Sequence, residues 1–262
     1  MKFNTSVTDY CYIDNDKVRN NLSELSNMYT NEYLKKNKVA FYYEDKNNTF
    51  SYNKDIGFYA ASAIKILVCL LLFNLSDEGK IDLNEKLLVK LEDLKQDTGI
   101  IKYNTEDKEY TIKELIRLCI VESDNTAYIK LVNYIGKDKL EEYGKSLGAI
   151  HTMEGKDLFG LITCSDMIIY WKEVKKYIET GKHGKEFKDY LSNPSVKLIN
   201  CLDNNYVRKY GSWDIAYHET GYVESENEYY LIILTQLNKE DYKEEFINKT
   251  AKLLDEINKE LS

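Results

Sequence analysis

From Ala60 to Leu75 the chain is apolar on nearly every side, and Ser62 and Lys65 interrupt the start of that run. A helix of this pattern has no face to give to water, so the pattern predicts a central helix buried between two layers. Lysine is strongly hydrated and normally stays at a surface, so one inside such a run needs a reason. At i,i+3 its amine can reach the Ser62 hydroxyl. Burial that lowers the amine pKa leaves part of it neutral near pH 7, able to take the serine proton and activate a serine without histidine. A lysine that snorkels from a core helix satisfies the same four residues, and Ser-x-x-Lys alone is common.

The rest of the chain supplies the two layers. Helical spacing of apolar residues runs from Val18 to Leu34, then strands at Val39–Tyr43 and Thr49–Tyr52 flank the turn-forming Asp45-Lys46-Asn47-Asn48. Helices follow over Thr111–Glu122, with Thr111 and Glu114 placed as a capping box, and over Thr126–Tyr134, Lys137–Leu147, Ser165–Glu179 and Lys185–Leu191. Strand character returns at Tyr206–Tyr210, Ile215–Val223 and Tyr229–Thr235, before a final amphipathic helix through Phe246, Ile247, Leu253, Leu254, Ile257 and Leu261. Two early strands and three late ones predict an α/β (α+β) fold: one antiparallel five-stranded sheet assembled from both termini, flanked by terminal helices. The sheet lobe is expected over 1–60 and 197–262, and an inserted all-helical lobe over 61–196, with the active site at their junction.

Charge narrows the partners. The 44 acidic and 36 basic residues are interspersed and leave a net charge of -8, which argues against nucleic acid. Cys11, Cys69, Cys119, Cys164 and Cys201 form no C-x-x-C pair, and the histidines are His151, His183 and His218. A metal site is therefore not expected, nor any other cofactor; Cys69 and Cys119 read as small buried hydrophobes. The longest apolar run, Ile64–Phe73, is too short to span a bilayer, and the first residues lack an apolar leader. The location expected is cytoplasmic if the chain is full length as given, extracytoplasmic if a leader was removed, and the expected state is a monomer acting on a small molecule.

Two more polar islands accompany the first. Ser123-Asp124-Asn125 breaks an apolar stretch and suits a helix–helix junction, with Asp124 as a structural cap. Lys209-Tyr210-Gly211 lies in a strand, where lysine is a common edge device and glycine lets a ligand lie against the backbone.

Taken in order, Ser62-x-x-Lys65, Ser123-Asp124-Asn125 and Lys209-Tyr210-Gly211 resemble the Ser-x-x-Lys, Ser-Asp-Asn and Lys-Thr/Ser-Gly set of class A beta-lactamases and penicillin-binding proteins. The resemblance spans roughly 18 to 260 and takes in Gln96-Asp97-Thr98-Gly99-Ile100 and Glu219-Thr220-Gly221-Tyr222-Val223. It implies a beta-lactamase-like fold and a serine hydrolase that forms an acyl-enzyme on Ser62. Lys65 would activate the serine or pass its proton on, and Ser123 would relay that proton to the leaving nitrogen. Asn125 would hold a substrate amide, and Lys209 would attract a substrate carboxylate. The backbone N–H groups of Ser62 and Ser212 would form the oxyanion hole, and Tyr210 and Gly211 would border the substrate.

Two departures qualify the resemblance. Tyr210 replaces a short hydroxyl that normally bonds the beta-lactam carboxylate, leaving Ser212 as a substitute donor. The segment Gly148–Thr163 is too brief for the loop that carries the deacylating glutamate; its carboxylates are Glu154 and Asp157, and Glu154 is the candidate to take over that role. Slow deacylation follows as an expectation. The alternatives are a penicillin-binding, peptidase, esterase or beta-lactam-sensing protein of the same fold, or a non-catalytic member. His218 is expected to pack beneath a loop, with a place near Lys209 as its other reading.

Overall fold

The computed structural model describes residues 15–31, 37–155, 157–238 and 240–262. Cys11, and Tyr33 and Leu34 at the expected end of the first helix, lie outside these residues. Helix α1 (Asp16–Thr30) starts at Asn15, whose side chain accepts from the Val18 N–H at 3.1 Å. Its apolar stripe buries Val18, Leu22, Leu25 and Tyr29. The predicted hairpin is β1 (Lys38–Glu44) and β2 (Thr49–Tyr52), its turn closed by Asp45 accepting from the N–H groups of Asn47 and Asn48.

The apolar run is not one helix. After β3 (Phe58–Tyr59) it enters as a 3-10 turn, Ala61–Ile64, and becomes α2 (Lys65–Asp77) only at the lysine. Ala61 at φ +45° is outside right-handed helical space, so the helical turn cannot extend back through it toward β3. Every residue from Lys65 to Phe73 is buried. Two short ribbons escaped the sequence reading: β4 (Lys86–Val89) pairs with β5 (Lys108–Thr111), and β3 pairs with β6 (Leu161–Ile162). Elements this short leave no periodicity to read.

The helical region then runs α3 (Ile112–Val121), α4 (Asn125–Ile135), α5 (Lys137–Ser146), α6 (Cys164–Thr180) and α7 (Gly184–Ser192). The Thr111–Glu114 capping box is present, with Thr111 Oγ1 accepting from the Glu114 N–H at 3.1 Å and Glu114 Oε2 from the Thr111 N–H at 2.7 Å. Strands β7 (Asn205–Trp213), β8 (Ala216–Glu224) and β9 (Tyr229–Gln236) precede α8 (Glu240–Leu261).

The five long strands form one antiparallel sheet in the order β2-β1-β9-β8-β7. One face packs on α1 and α8 through Leu25, Phe41, Tyr229, Ile233 and Leu254. The other meets α2 and α6 through Ala40, Leu67, Trp171, Val207 and Ile232, and Trp171 Nε1 donates to Thr220 Oγ1 of β8 at 3.0 Å. Fully burying aliphatic or aromatic side chains of this kind is worth about 1.5–3 kcal/mol each. Strand β7 is thus an edge strand, and α2 starts beside it. Among the described residues no helix is long and apolar enough to cross a membrane.

Candidate active site

Ser62 sits in the 3-10 turn, 6% exposed, and β7 lies directly against it. A Cβ at Gly211 would come within 2.8 Å of the Ala63 nitrogen, 2.9 Å of the Ala60 oxygen and 3.1 Å of the Ser62 nitrogen. Glycine is required because the backbones touch. The next residue, Ser212, turns outward, and both serines line a cleft of about 130 Å³ together with Tyr59, Asp97, Asn125, Phe159 and Trp213.

Ser123 is brought to the same place from the helical region. It adopts φ +51°, a conformation that costs a residue with a Cβ about 1–3 kcal/mol and persists only where neighbours hold it. Asp124 supplies the hold: its carboxylate accepts from the N–H groups of Ile100 (2.7 Å), Ile101 (2.8 Å) and Ala127 (2.9 Å). Gly99, at φ +113°, leaves room for that carboxylate, since a Cβ there would lie 2.1 Å from Asp124 Oδ2. The expected cap is therefore also a clamp on the loop before it.

Two amines meet at the Ser123 hydroxyl. Lys65 Nζ lies 3.3 Å from Ser123 Oγ and Lys209 Nζ 2.9 Å from it. Lys65 also donates to Ser123 O and to Asn125 Oδ1, each at 2.5 Å, and faces the rings of Tyr128 and Phe159. Both lysines are completely buried. Desolvation pushes the Lys65 amine down to about 8, and drives Lys209 well below the usual lysine range with the charge of Lys65 adding to the effect. Two ammonium groups sharing one hydroxyl repel each other, so the pair does not hold two full charges near neutrality. The hydroxyl of Ser123 can therefore accept a proton from one side and give one to the other.

Several sequence expectations change here. Among the described residues no hydrogen bond joins Lys65 Nζ to Ser62 Oγ, because the amine is turned toward Ser123 and Asn125. Lys209 does not face the cleft: its amine is held by Ser123 Oγ and Tyr210 O, with the Tyr210 ring centroid 4.2 Å away. Tyr210 does not line the cleft either: it is 6% exposed, with its ring against the Lys209 amine and its phenol hydrogen-bonded to Ser123. Glu154 is a surface residue whose carboxylate meets His151 Nδ1 at 3.0 Å. His218 is fully buried and away from Lys209's amine; Thr235 N–H donates to its Nδ1, so Nε2 carries the proton and donates to Tyr59 O. Desolvation pushes that ring down to about 4, keeping it neutral.

Tyr59, Asp97, Phe159 and Trp213 are cleft residues that residue patterns did not single out as site residues. Trp213 carried a usable signal, a large aromatic beside the Lys-x-Gly triplet at a strand end; Phe159 carried none.

Residues 18–258 match the model of the beta-lactamase enzyme family, and the chain belongs to that family. D-alanyl-D-alanine carboxypeptidase DacF of Bacillus subtilis (strain 168) is 26% identical over 195 residues, covering 69% of this chain and 50% of its own. Beta-lactamase BRO-1 of Moraxella catarrhalis is 30% identical over 147 residues, 53% of this chain and 47% of its own. The chain thus spans about half the length of the curated relatives it matches. The beta-lactamase from Sphaerobacter thermophilus DSM 20745 superposes with a TM-score of 0.82 at 18% identity, over 90% of this chain and 97% of that one, which shows a shared fold.

Proposed function

We propose that the protein is a serine hydrolase that forms an acyl-enzyme on Ser62 with beta-lactam or related amide and ester substrates, and releases it slowly. The observation that carries this reading is the Ser123 hydroxyl between two buried, pKa-depressed lysines, beside a cleft that contains Ser62.

Acylation begins when neutral Lys65 takes the Ser62 proton as Oγ attacks the substrate carbonyl. The amine must swing from Asn125 toward Ser62, a small adjustment of a kind common when substrate tightens an unliganded site. The proton then passes from Lys65 through Ser123 Oγ to the leaving nitrogen or oxygen, and Lys209 stabilises the hydroxyl while it is shared. The N–H groups of Ser62 and Ser212 face the carbonyl oxygen, each donor worth about 3 kcal/mol in the transition state.

Hydrolysis of the ester needs a base for water, and the loop from Gly148 to Thr163 sends an aromatic ring, Phe159, into the nucleophile's cleft where a carboxylate would serve. Of the two carboxylates on that loop, Glu154 is exposed and paired with His151, and Asp157 accepts from the Phe159 and Gly160 N–H groups and lines the adjoining hollow, not the Ser62 cleft. The buried Tyr210 and the inward-facing Lys209 favour a second reading of the same site, an esterase or peptidase whose substrate lacks the beta-lactam carboxylate.

Intact-mass measurement after incubation with a labelled penicillin tests acylation. A stable adduct on the wild type that disappears in Ser62→Ala supports the reading; no adduct with penicillin or with an activated ester overturns it. A chromogenic cephalosporin that stops after one equivalent identifies slow release, whereas continued colour identifies a turning-over lactamase.

A further inference from the structure

Resting on the acyl-enzyme reading, we propose that the acyl donor is cationic: an ester or amide whose positively charged group lies against Trp213 and Tyr59 among flanking aspartates, with carboxylate-bearing donors disfavoured. The site is defined by its nucleophile; what remains open is the charge it accepts.

The Ser62 cleft adjoins a second hollow of about 390 Å³, and the two share Tyr59 and Trp213 as walls. Among the described residues, the charged side chain lining the first is Asp97, and those lining the second are Asp157 and Asp214. Among the described residues, no lysine, arginine or histidine lines either hollow. The cation that a carboxylate-bearing substrate would need is Lys209, and it is fully buried behind the cleft with its amine committed to Ser123 and Tyr210.

Three lysines near the aspartates are bonded to main chain and not to the carboxylates. Lys102, Lys137 and Lys243 donate to the main-chain oxygens of Asp97 (2.5 Å), Asp157 (3.3 Å) and Asp214 (2.9 Å), and none lines the hollows. The carboxylates of Asp97 and Asp157 each use Oδ1 on their own loop, accepting from Thr98 in the first case and from Phe159 and Gly160 in the second. Their fields meet at the shared wall: burial raises the Tyr59 phenol above its usual value, and Asp157 and Asp97 raise it further.

The walls suit a cation as well. Trp213 is 54% exposed, an unusual state for so large an apolar side chain, and Tyr59 and Phe159 stand with ring centroids 6.2 Å apart. Aromatic faces attract ammonium groups, most strongly when those groups are weakly hydrated, as alkylated ammonium is. Ser62 and the aspartates together therefore select a carbonyl with a positive charge a few bonds away.

Three p-nitrophenyl esters of similar length test this: 4-(trimethylammonio)butyrate, its neutral isostere 5,5-dimethylhexanoate, and the anionic glutarate monoester. The burst of p-nitrophenolate reports acylation even where release is slow. The cationic ester should acylate at least about tenfold faster than the neutral one and faster still than the glutarate. The cationic-to-neutral ratio should fall toward one in Asp97→Asn/Asp214→Asn. Equal rates for the cationic and neutral esters, or a preference for glutarate, overturn the proposal while leaving acylation intact. If no ester gives a Ser62-dependent burst, the acyl-enzyme reading fails instead, and the charge preference is read by binding. Choline should then quench Trp213 fluorescence saturably, and its carbon isostere 3,3-dimethyl-1-butanol should not; equal quenching, or quenching that survives Trp213→Phe, overturns the cationic site.

Discussion

The main-chain nitrogen of Ser62 lies 3.1 Å from where a Cβ on Gly211 would stand. This contact joins the nucleophile's turn to the edge strand and sets the spacing of the two backbone N–H groups at Ser62 and Ser212. Gly211→Ala should push β7 away from the turn, costing about 1–3 kcal/mol through overpacking. Acylation should fall about a hundredfold as one oxyanion donor is displaced. Thermal unfolding and the rate of adduct formation measure the two; a variant that acylates at the wild-type rate removes the oxyanion assignment.

Acylation should depend on pH through Lys65. Burial lowers this amine to about 8, so the base is mostly protonated at pH 6 and mostly free at pH 9. The acylation rate constant should rise about tenfold for each pH unit below 8 and level off above it, opposite to a site that needs the ammonium form. Lys65→Arg, which cannot deprotonate in this range, should lose about two to four orders of magnitude. A rate that is flat from pH 6 to pH 9 would show that Lys65 is not the base.

The Ser123 loop should fail when its clamp is removed. Asp124 is 1% exposed and accepts three main-chain N–H bonds, so Asp124→Ala strands two buried donors and one half-buried one. A loss of about 3 kcal/mol is expected, from charge-assisted bonds and from donors left unsatisfied. Urea unfolding should show a lower midpoint at unchanged slope. An unchanged midpoint would mean that the strained Ser123 is held by something else.

What the sequence could reveal divided along physical lines. The central helix was legible because nine successive buried residues leave an unmistakable apolar run, and the capping box because Thr111 and Glu114 act within one turn of each other. The sheet was legible in its strands and its assembly from both ends, since period and order are local facts. The positive φ of Ala61, the inward turn of Lys209 and the burial of Tyr210 were not, because each is imposed by a neighbour far away in number. Phe159 is the clearest case: Tyr128, thirty residues before Leu158, donates its hydroxyl to Leu158 O and so sets where the next ring points. No local pattern records such a contact.

That ring also offers the most direct route to changing the chemistry. Phe159 lines the Ser62 cleft, its centroid 6.0 Å from Lys65 Nζ, and it packs on Tyr128 with centroids 5.0 Å apart. A carboxylate in this position would lie near both the acylated serine and a cation able to keep it ionised, which is what a base for the attacking water needs. Phe159→Glu should therefore shorten the lifetime of a penicilloyl adduct by about a hundredfold, the low end of what a positioned general base contributes. It should do so at some cost in stability, because an aromatic contact is exchanged for a charge. Phe159→Gln has nearly the same shape and no basic oxygen, so it should leave the adduct as long-lived as in the wild type. Time-resolved intact-mass measurement of pre-formed adducts on the three proteins separates the outcomes. Equal lifetimes for Glu and Gln would show that the missing base is not what slows release, and that water itself is excluded from the ester.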